Sequence, residues 1–363
     1  MKNLNKCLSL GLFVAFSMIF FSCKKVKPEV SPEEKSIYIN LLHSGTTENL
    51  RSVRFFDANT GFALGASGSL YKTINAGLTW VKSIPVVQDT SKTLVDTNMV
   101  YTRMYFVNNQ IGWITGTFNA KATATATNAT ARKTALLKTV DGGATWKNMN
   151  FNSDIKTFND IEFFDESNGY VVGNSGLIYR TFNGGATWVK QESGVTSNLR
   201  DIAILGSSTA MVIGPNGVLL KTDDGGVTWE IKSTPAKRAF YKIKAVSNNI
   251  IYLTGGGEGN TPNADKAFVY KIDAQGNFKE ITNSEYSVFY FYGIESLNKG
   301  NEIWTVGHLG QIFRSIDGGI SWSEELSKSL RQETLYDISF PTSRIGYFVG
   351  NGGVILKVDL DKE

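Results

Sequence analysis

The chain has 363 residues, 42% hydrophobic and 19% charged, a balance that fits a globular protein with a sizeable core rather than a disordered one. Its net charge of +4 is too mild to argue for nucleic acid, and two Cys with two His leave almost nothing for a Cys/His metal site or a disulfide framework. The 36 Gly, 22 Phe, 14 Tyr and 7 Trp lean toward strands joined by tight turns.

Residues 1–22 open with Lys2 and Lys6 and continue as an apolar run from Leu8 to Phe21. The run is short and early for a membrane span, so it reads as a signal peptide. Ser22-Cys23 follows at once. A small residue and then Cys directly after the apolar run resembles the lipobox of bacterial lipoproteins, although Phe20 and Phe21 depart from its usual form. The resemblance implies cleavage before Cys23 and a lipid on that residue; the alternative is a secreted protein with a free thiol. Residues 23–35 are charged and Pro-containing, without apolar periodicity, and read as a tether between membrane and domain. The expectation is a lipid-anchored protein of the bacterial cell envelope, with its folded domain over 36–363.

One motif then recurs along the chain. It reads Thr73-Ile-Asn75-Ala-Gly77-Leu-Thr79-Trp80, and returns at Thr139–Trp146, Thr181–Trp188, Thr222–Trp229 and Ser315–Trp322. Its third positions are Asn75, Asp141, Asn183, Asp224 and Asp317. Degenerate copies lie at Lys271–Gly276 and Lys357–Asp361. An Asx side chain folding back on the N–H groups of its own turn explains the third position, and the Gly supplies a left-handed conformation, so these residues are expected to be structural. The Trp opens an outer strand and can pack between neighbouring units. A basic residue precedes each copy (Lys72, Lys138, Arg180, Lys221, Lys271, Arg314, Lys357), where it either forms a charged ring or satisfies a neighbouring turn.

A short apolar strand precedes each motif, with fourth positions Val53, Met104, Ile161, Ile202, Ile243, Ile294 and Ile338 separated by 41 to 57 residues. Seven units of this period predict an all-β, seven-bladed β-propeller of four-stranded blades. Gly-x-x-Gly hairpins at Gly173, Gly214, Gly307 and Gly350 join the second and third strands. Blade 7 lacks a fourth strand. Ser44-Gly-Thr-Thr-Glu-Asn-Leu-Arg51 matches Ser193-Gly-Val-Thr-Ser-Asn-Leu-Arg200, which follows the outer strand of blade 3, so residues 37–42 are expected to close blade 7. Insertions at 118–133 and 255–265 replace two hairpins and are expected to project from the face opposite the Asp turns, as is the long connection 85–99.

The repeated motif resembles the Asp-box, or BNR, repeats of sialidases, sortilins and some glycoside hydrolases. The whole blade pattern is most similar to the photosystem II assembly and stability factor family. That resemblance implies a non-enzymatic assembly factor that binds another protein.

The catalytic alternatives find little to stand on. The Arg-Ile-Pro motif of sialidases is missing, Arg344-Ile-Gly346 being the nearest approach. Asp160, Asp201 and Asp337 recur at one strand position and could bring carboxylates together, although repetition favours a structural role. His43 and His308 sit beside no nucleophile motif, and no cofactor-binding or metal-binding motif is present. The second positions of the inner strands are Arg51, Thr102, Asn159, Arg200, Tyr241, Tyr292 and Tyr336. Their type varies around the ring, and Arg and Tyr are enriched where proteins bind strongly. They are the candidate partner-binding mouth, for an envelope protein or, in the alternative reading, a glycan; the three Tyr could equally plug the channel. Membrane contact is expected through the lipid anchor only.

Overall fold

The computed structural model describes residues 37–83, 87–88, 93–94, 99–119, 132–149, 157–235, 238–247, 249–257, 266–273, 276–282, 290–325 and 333–360. The signal segment, the tether, Cys23 and most of both hairpin insertions lie outside them.

Seven sheets form the blades, each with four antiparallel strands ordered from an inner strand outward. The inner strands are Leu50–Phe55, Met99–Phe106, Phe158–Phe163, Asp201–Ile204, Ala239–Ser247, Phe291–Leu297 and Leu335–Ser339. Seven hydrophobic clusters fill the seven junctions between neighbouring blades. One, for example, joins Tyr170, Val172 and Ile178 of blade 3 to Leu199, Ile202 and Val212 of blade 4. Alternation of side chains along each strand sends residues to both faces of a blade, so every blade is buried on both sides.

Blade 7 is closed by Tyr38–Leu42, which pairs antiparallel with Ile355–Asp359 from Tyr38 opposite Asp359 to Leu42 opposite Ile355. The first and last segments of the ring thus share one sheet, in which Tyr38–Leu42 covers the edge of Ile355–Asp359. The sequence match that suggested closure has a physical basis. Ser44 Oγ accepts from Thr46 N at 3.3 Å, and Ser193 Oγ accepts from Val195 N at the same distance. Gly45 and Gly194 share φ near 72°. Both turns carry the chain from an outer strand to the next inner strand.

The Asp turns repeat one hydrogen-bond set. Thr139 Oγ1 donates to Asp141 Oδ1 and accepts from Gly143 N, while Asp141 accepts from Thr145 N at 2.9 Å and from its hydroxyl at 2.5 Å. Gly77, Gly143, Gly185, Gly226 and Gly319 all lie at φ between 79° and 89°. The bonds from Thr228 hold the Asp224 carboxyl at about 2. The Trp residues pack between blades as expected. Trp188 of blade 3 meets Trp113 of blade 2 edge-on, and Trp229 Nε1 of blade 4 donates to Gln191 of blade 3.

The basic residue before each turn serves the frame. Lys138 donates to Gly184 O, and Arg180 to Gly225 O, each in the next blade's turn. Lys72, Lys138, Arg180, Lys271, Arg314 and Lys357 each lie over an aromatic ring of their own blade's second strand, at 5.1 to 5.9 Å.

Two details differ from expectation. The connection between blades 1 and 2 contributes two short strands, Val87–Gln88 and Thr93–Leu94, which extend the outer edge of blade 2. At the first insertion, residues 118–119 and 132–133 continue the hairpin ladder rather than the loop. Among the described residues no helix is long and apolar enough to cross a membrane.

Candidate functional site

In six of the seven blades the pairing of the inner strand with its neighbour slips by one residue at the second position: at Arg51, Thr102, Asn159, Tyr241, Tyr292 and Tyr336. A β-bulge adds a residue to one strand and re-aims its side chain. Here it places the second and third residues of the strand toward the axis, at the end of the channel shared with the Gly-x-x-Gly hairpins. Six of the residues singled out in sequence are thereby brought to one ring, and the seventh, Arg200, joins it through its contact with the Tyr241 ring.

The ring has two halves of different character. In blades 2 to 4 the side chains rivet neighbouring inner strands. Thr102 Oγ1 donates to Phe158 O at 2.7 Å, Asn159 Nδ2 to Leu199 O at 2.6 Å and Arg200 to Phe240 O at 3.2 Å. Variation in type thus accompanies a shared packing role, satisfied by three different donors. In blades 5 to 7 the tyrosines form a continuous aromatic surface. Tyr241 meets Tyr292 at 5.0 Å and Tyr292 meets Tyr336 at 5.6 Å, with Tyr290 at 5.7–5.8 Å from both Tyr241 and Tyr292. Burial, and then the neighbouring phenols, push the Tyr292 hydroxyl well above its ordinary range. An arginine caps each end: Arg51 lies 4.8 Å from the Tyr336 ring centre, and Arg200 lies 4.5 Å from that of Tyr241. Arg51 is exposed, and no carboxylate among the described residues pairs with it.

Beneath this ring lies a layer of charge, its carboxylates buried and its cations half-buried. Arg103 bonds Asp160 at 3.2 Å and Asp337 at 3.0 Å, and Lys242 bonds Asp201 at 2.6 Å. Each of the three carboxylates also accepts a backbone N–H from the fourth residue of the next inner strand: Asp160 from Ile202, Asp201 from Ile243 and Asp337 from Val53, at 2.8 to 3.1 Å. Burial opposes the charge on Asp337, but Arg103 and Lys242 outweigh it and hold the carboxyl below its usual value. Burial likewise opposes the charge on Arg103, and Asp337 with Asp160 reverses the effect. These carboxylates meet, as their spacing suggested, but their oxygens are spent on cations and on the frame.

Toward the opposite mouth, burial and Asp160 raise the Glu162 carboxyl to about 7 against the pull of Lys244 and Lys242. On that same face a cleft of about 740 Å³ opens beside Arg54, Phe56, Lys72, Gln110 and Asp141. Sequence reasoning missed Tyr290, Arg103 and this cleft. Tyr290 lies one residue before its inner strand and had no counterpart to flag it. The partners of Arg103 come from blades 3 and 7, far apart in the chain.

The family model described as photosynthesis system II assembly factor YCF48 matches residues 142–196 and 253–359. The chain is 23% identical over 341 residues to the photosystem II stability/assembly factor HCF136, chloroplastic, of Oryza sativa subsp. japonica, covering 83% of this chain and 76% of that protein. A solved structure titled YCF48 bound to D1 peptide superposes with a TM-score of 0.66 at 20% identity, covering 90% of this chain and 97% of that one. A GH74 enzyme of Niastella koreensis superposes equally well, at 17% identity, over 88% of this chain and 53% of its own. At these identities the likenesses establish the propeller fold.

Proposed function

We propose that this chain is a lipid-anchored envelope protein whose Tyr/Arg mouth holds a segment of another protein and assists its assembly, without catalysing a reaction. The observation that carries this reading is the half-ring Arg51–Tyr336–Tyr292–Tyr241–Arg200, an accessible aromatic surface capped by two guanidinium groups. Such a surface offers large apolar area, phenol donors and positive charge at little cost in side-chain ordering, which suits a peptide. The match to assembly-factor sequences supports it, as does a peptide-bound structure among the relatives. Cys23 after its apolar run supports the anchor. The aromatic surface is also one on which a sugar ring stacks, which keeps a glycan as the second reading.

The test replaces Arg51 and Tyr336 together by Ala and quantifies proteins co-purified from detergent-solubilised membranes. The reading predicts loss of a specific partner with the fold intact by circular dichroism. Recovery of the same partners at the same yield would contradict it. Oligosaccharide binding that the double substitution abolishes would favour the glycan. For the anchor, Cys23→Ala should release the chain from membranes or block its maturation, and unchanged fractionation and mass would refute the lipid.

A further inference from the structure

Every complete Asp turn shows a large apolar side chain to solvent at its second or sixth position. These are Ile74 and Leu78 in blade 1, Val140 in blade 2, Phe182 in blade 3, Val227 in blade 4, and Ile316 and Ile320 in blade 6, from 52% exposed at Ile316 to 84% at Ile320. Phe164, in the neighbouring turn of blade 3, joins them. The turns are closed by their own Asx and Thr or Ser bonds, which do not use these side chains; Phe182 among them also meets a cation, Arg180, at 4.2 Å from its ring centre. Scattered exposed apolar residues are ordinary. This distribution is not scattered: of the fifteen large exposed apolar residues among the described residues, eight lie on the Asp-turn face. Only Val100 and Leu309 lie at the hairpin face, and the remaining five are on outer strands.

The path of the chain singles out the same face. Tyr38 stands opposite Asp359, where the third strand of blade 7 reaches its Asp-turn end, and Leu360 N bonds Arg344 O there. The chain therefore enters the propeller at this face and crosses the outer edge of blade 7 toward the mouth. Thirteen residues separate Cys23 from Ile37, a reach of about 45 Å at most.

We propose that the Asp-turn face lies on a lipid bilayer, its apolar side chains at the boundary of headgroups and acyl chains, with the Tyr/Arg mouth turned away from the membrane. This rests on the reading of Cys23 as the anchor, which raises the effective concentration of the propeller at the bilayer, so that several shallow contacts suffice to orient it. The proposal gives the exposed apolar residues a ligand, and it leaves the mouth free to receive a partner from the aqueous side.

The test uses the full chain purified from membranes and reconstituted in phosphatidylcholine vesicles that contain a lipid with a photoactivatable acyl chain. After illumination, digestion and mass spectrometry locate the lipid adducts. Adducts are expected on the peptides holding Ile74, Val140, Phe182, Val227 and Ile320, and not on the hairpins at Gly173, Gly214 and Gly307. Val227→Asp with Ile320→Asp should lower the yield on the remaining turns about tenfold. Vesicle-bound protein with no adducts on the turns, or with adducts on the hairpin face, overturns the proposal, as does a dimer in which a second copy shields the turns. The mass of the Cys23 peptide reports the anchor separately. If it carries no lipid, the chain is coupled through Cys23 to a maleimide lipid in a Cys7→Ser background, and the same adduct pattern decides the face.

Discussion

Replacing Asp337 by Ala removes one side chain that joins three strands of the ring. It takes away the partner of Arg103 at 3.0 Å, the acceptor for the buried Val53 N–H at 3.0 Å and the acceptor for Ser52 Oγ at 3.0 Å. Breaking a buried ion pair from one side costs about 3–5 kcal/mol, because the remaining charge and N–H stay buried without full compensation. Arg103 keeps Asp160, which sets the expectation near the middle of that range. For a propeller of this length, an unfolding entropy of ~2.1 cal/mol/K per residue converts about 4 kcal/mol into a fall of about 6 °C in melting temperature. Asp337→Asn retains an oxygen for the Val53 N–H and loses only the charge, so about half that fall is expected. The carboxyl is held below its ordinary value in the fold, so its contribution is fully present above the unfolded value of ~3.9 and is lost as pH falls through the lower folded value. The difference between wild type and Asp337→Ala should therefore stay flat from about pH 5 to 8 in scanning calorimetry. A melting temperature for Asp337→Ala within about 1 °C of wild type would refute the view that third-position carboxylates couple the blades.

Glu162 should act with the opposite sign. Its folded carboxyl is raised to about 7, so the unfolded chain gives up this proton first, and stability falls as pH rises from about 4.5 to 7. With partial solvent screening the loss is about 1–3 kcal/mol, and Glu162→Gln should flatten it in urea titrations at pH 5 and 7.5. Deleting residues 37–42 should lower stability by several kcal/mol and promote association through the bared Ile355–Asp359 edge; an unchanged melting curve and a monomeric elution would count against ring closure. Tyr292→Ala should lower the melting temperature, since its ring contacts three other tyrosines, whereas Arg51→Ala should leave it within about 1 °C. Arg200→Ala falls between them, because its guanidinium also bonds Phe240 O.

The architecture was legible because the Asp turn demands particular chemistry at fixed positions. A hydroxyl, an Asx acceptor and a left-handed Gly must coincide, and each is visible as a letter. Closure by the first strand was legible for the same reason, through the Ser-Gly turn that repeats after blade 3. The mouth was legible only as a position. Sequence periodicity located Arg51 to Tyr336, but not the bulge that turns them inward, since a slip of register leaves no residue signature. Nor could it separate Thr102 and Asn159, whose donors bridge blades, from the tyrosines that form a surface. The Asp160, Asp201 and Asp337 recurrence was visible, but their acceptor role depends on the curvature that brings the next strand's N–H within reach. The strand Val87–Gln88 escaped because it is only two residues long, and its pairing with blade 2 is parallel and at the outer edge of the sheet.

The role proposed for the Tyr/Arg mouth is to hold a segment of another protein. Its most direct measurement places a photo-crosslinking amino acid, p-benzoylphenylalanine, at Tyr336 in the living cell and identifies the adducts by mass spectrometry. One dominant protein adduct is expected, mapped to a single segment, that disappears when Arg51→Glu is added while the protein level stays constant. Adducts that are absent, that are unaffected by Arg51→Glu, or that match those from the same amino acid placed on an outer strand at Val189 would contradict it.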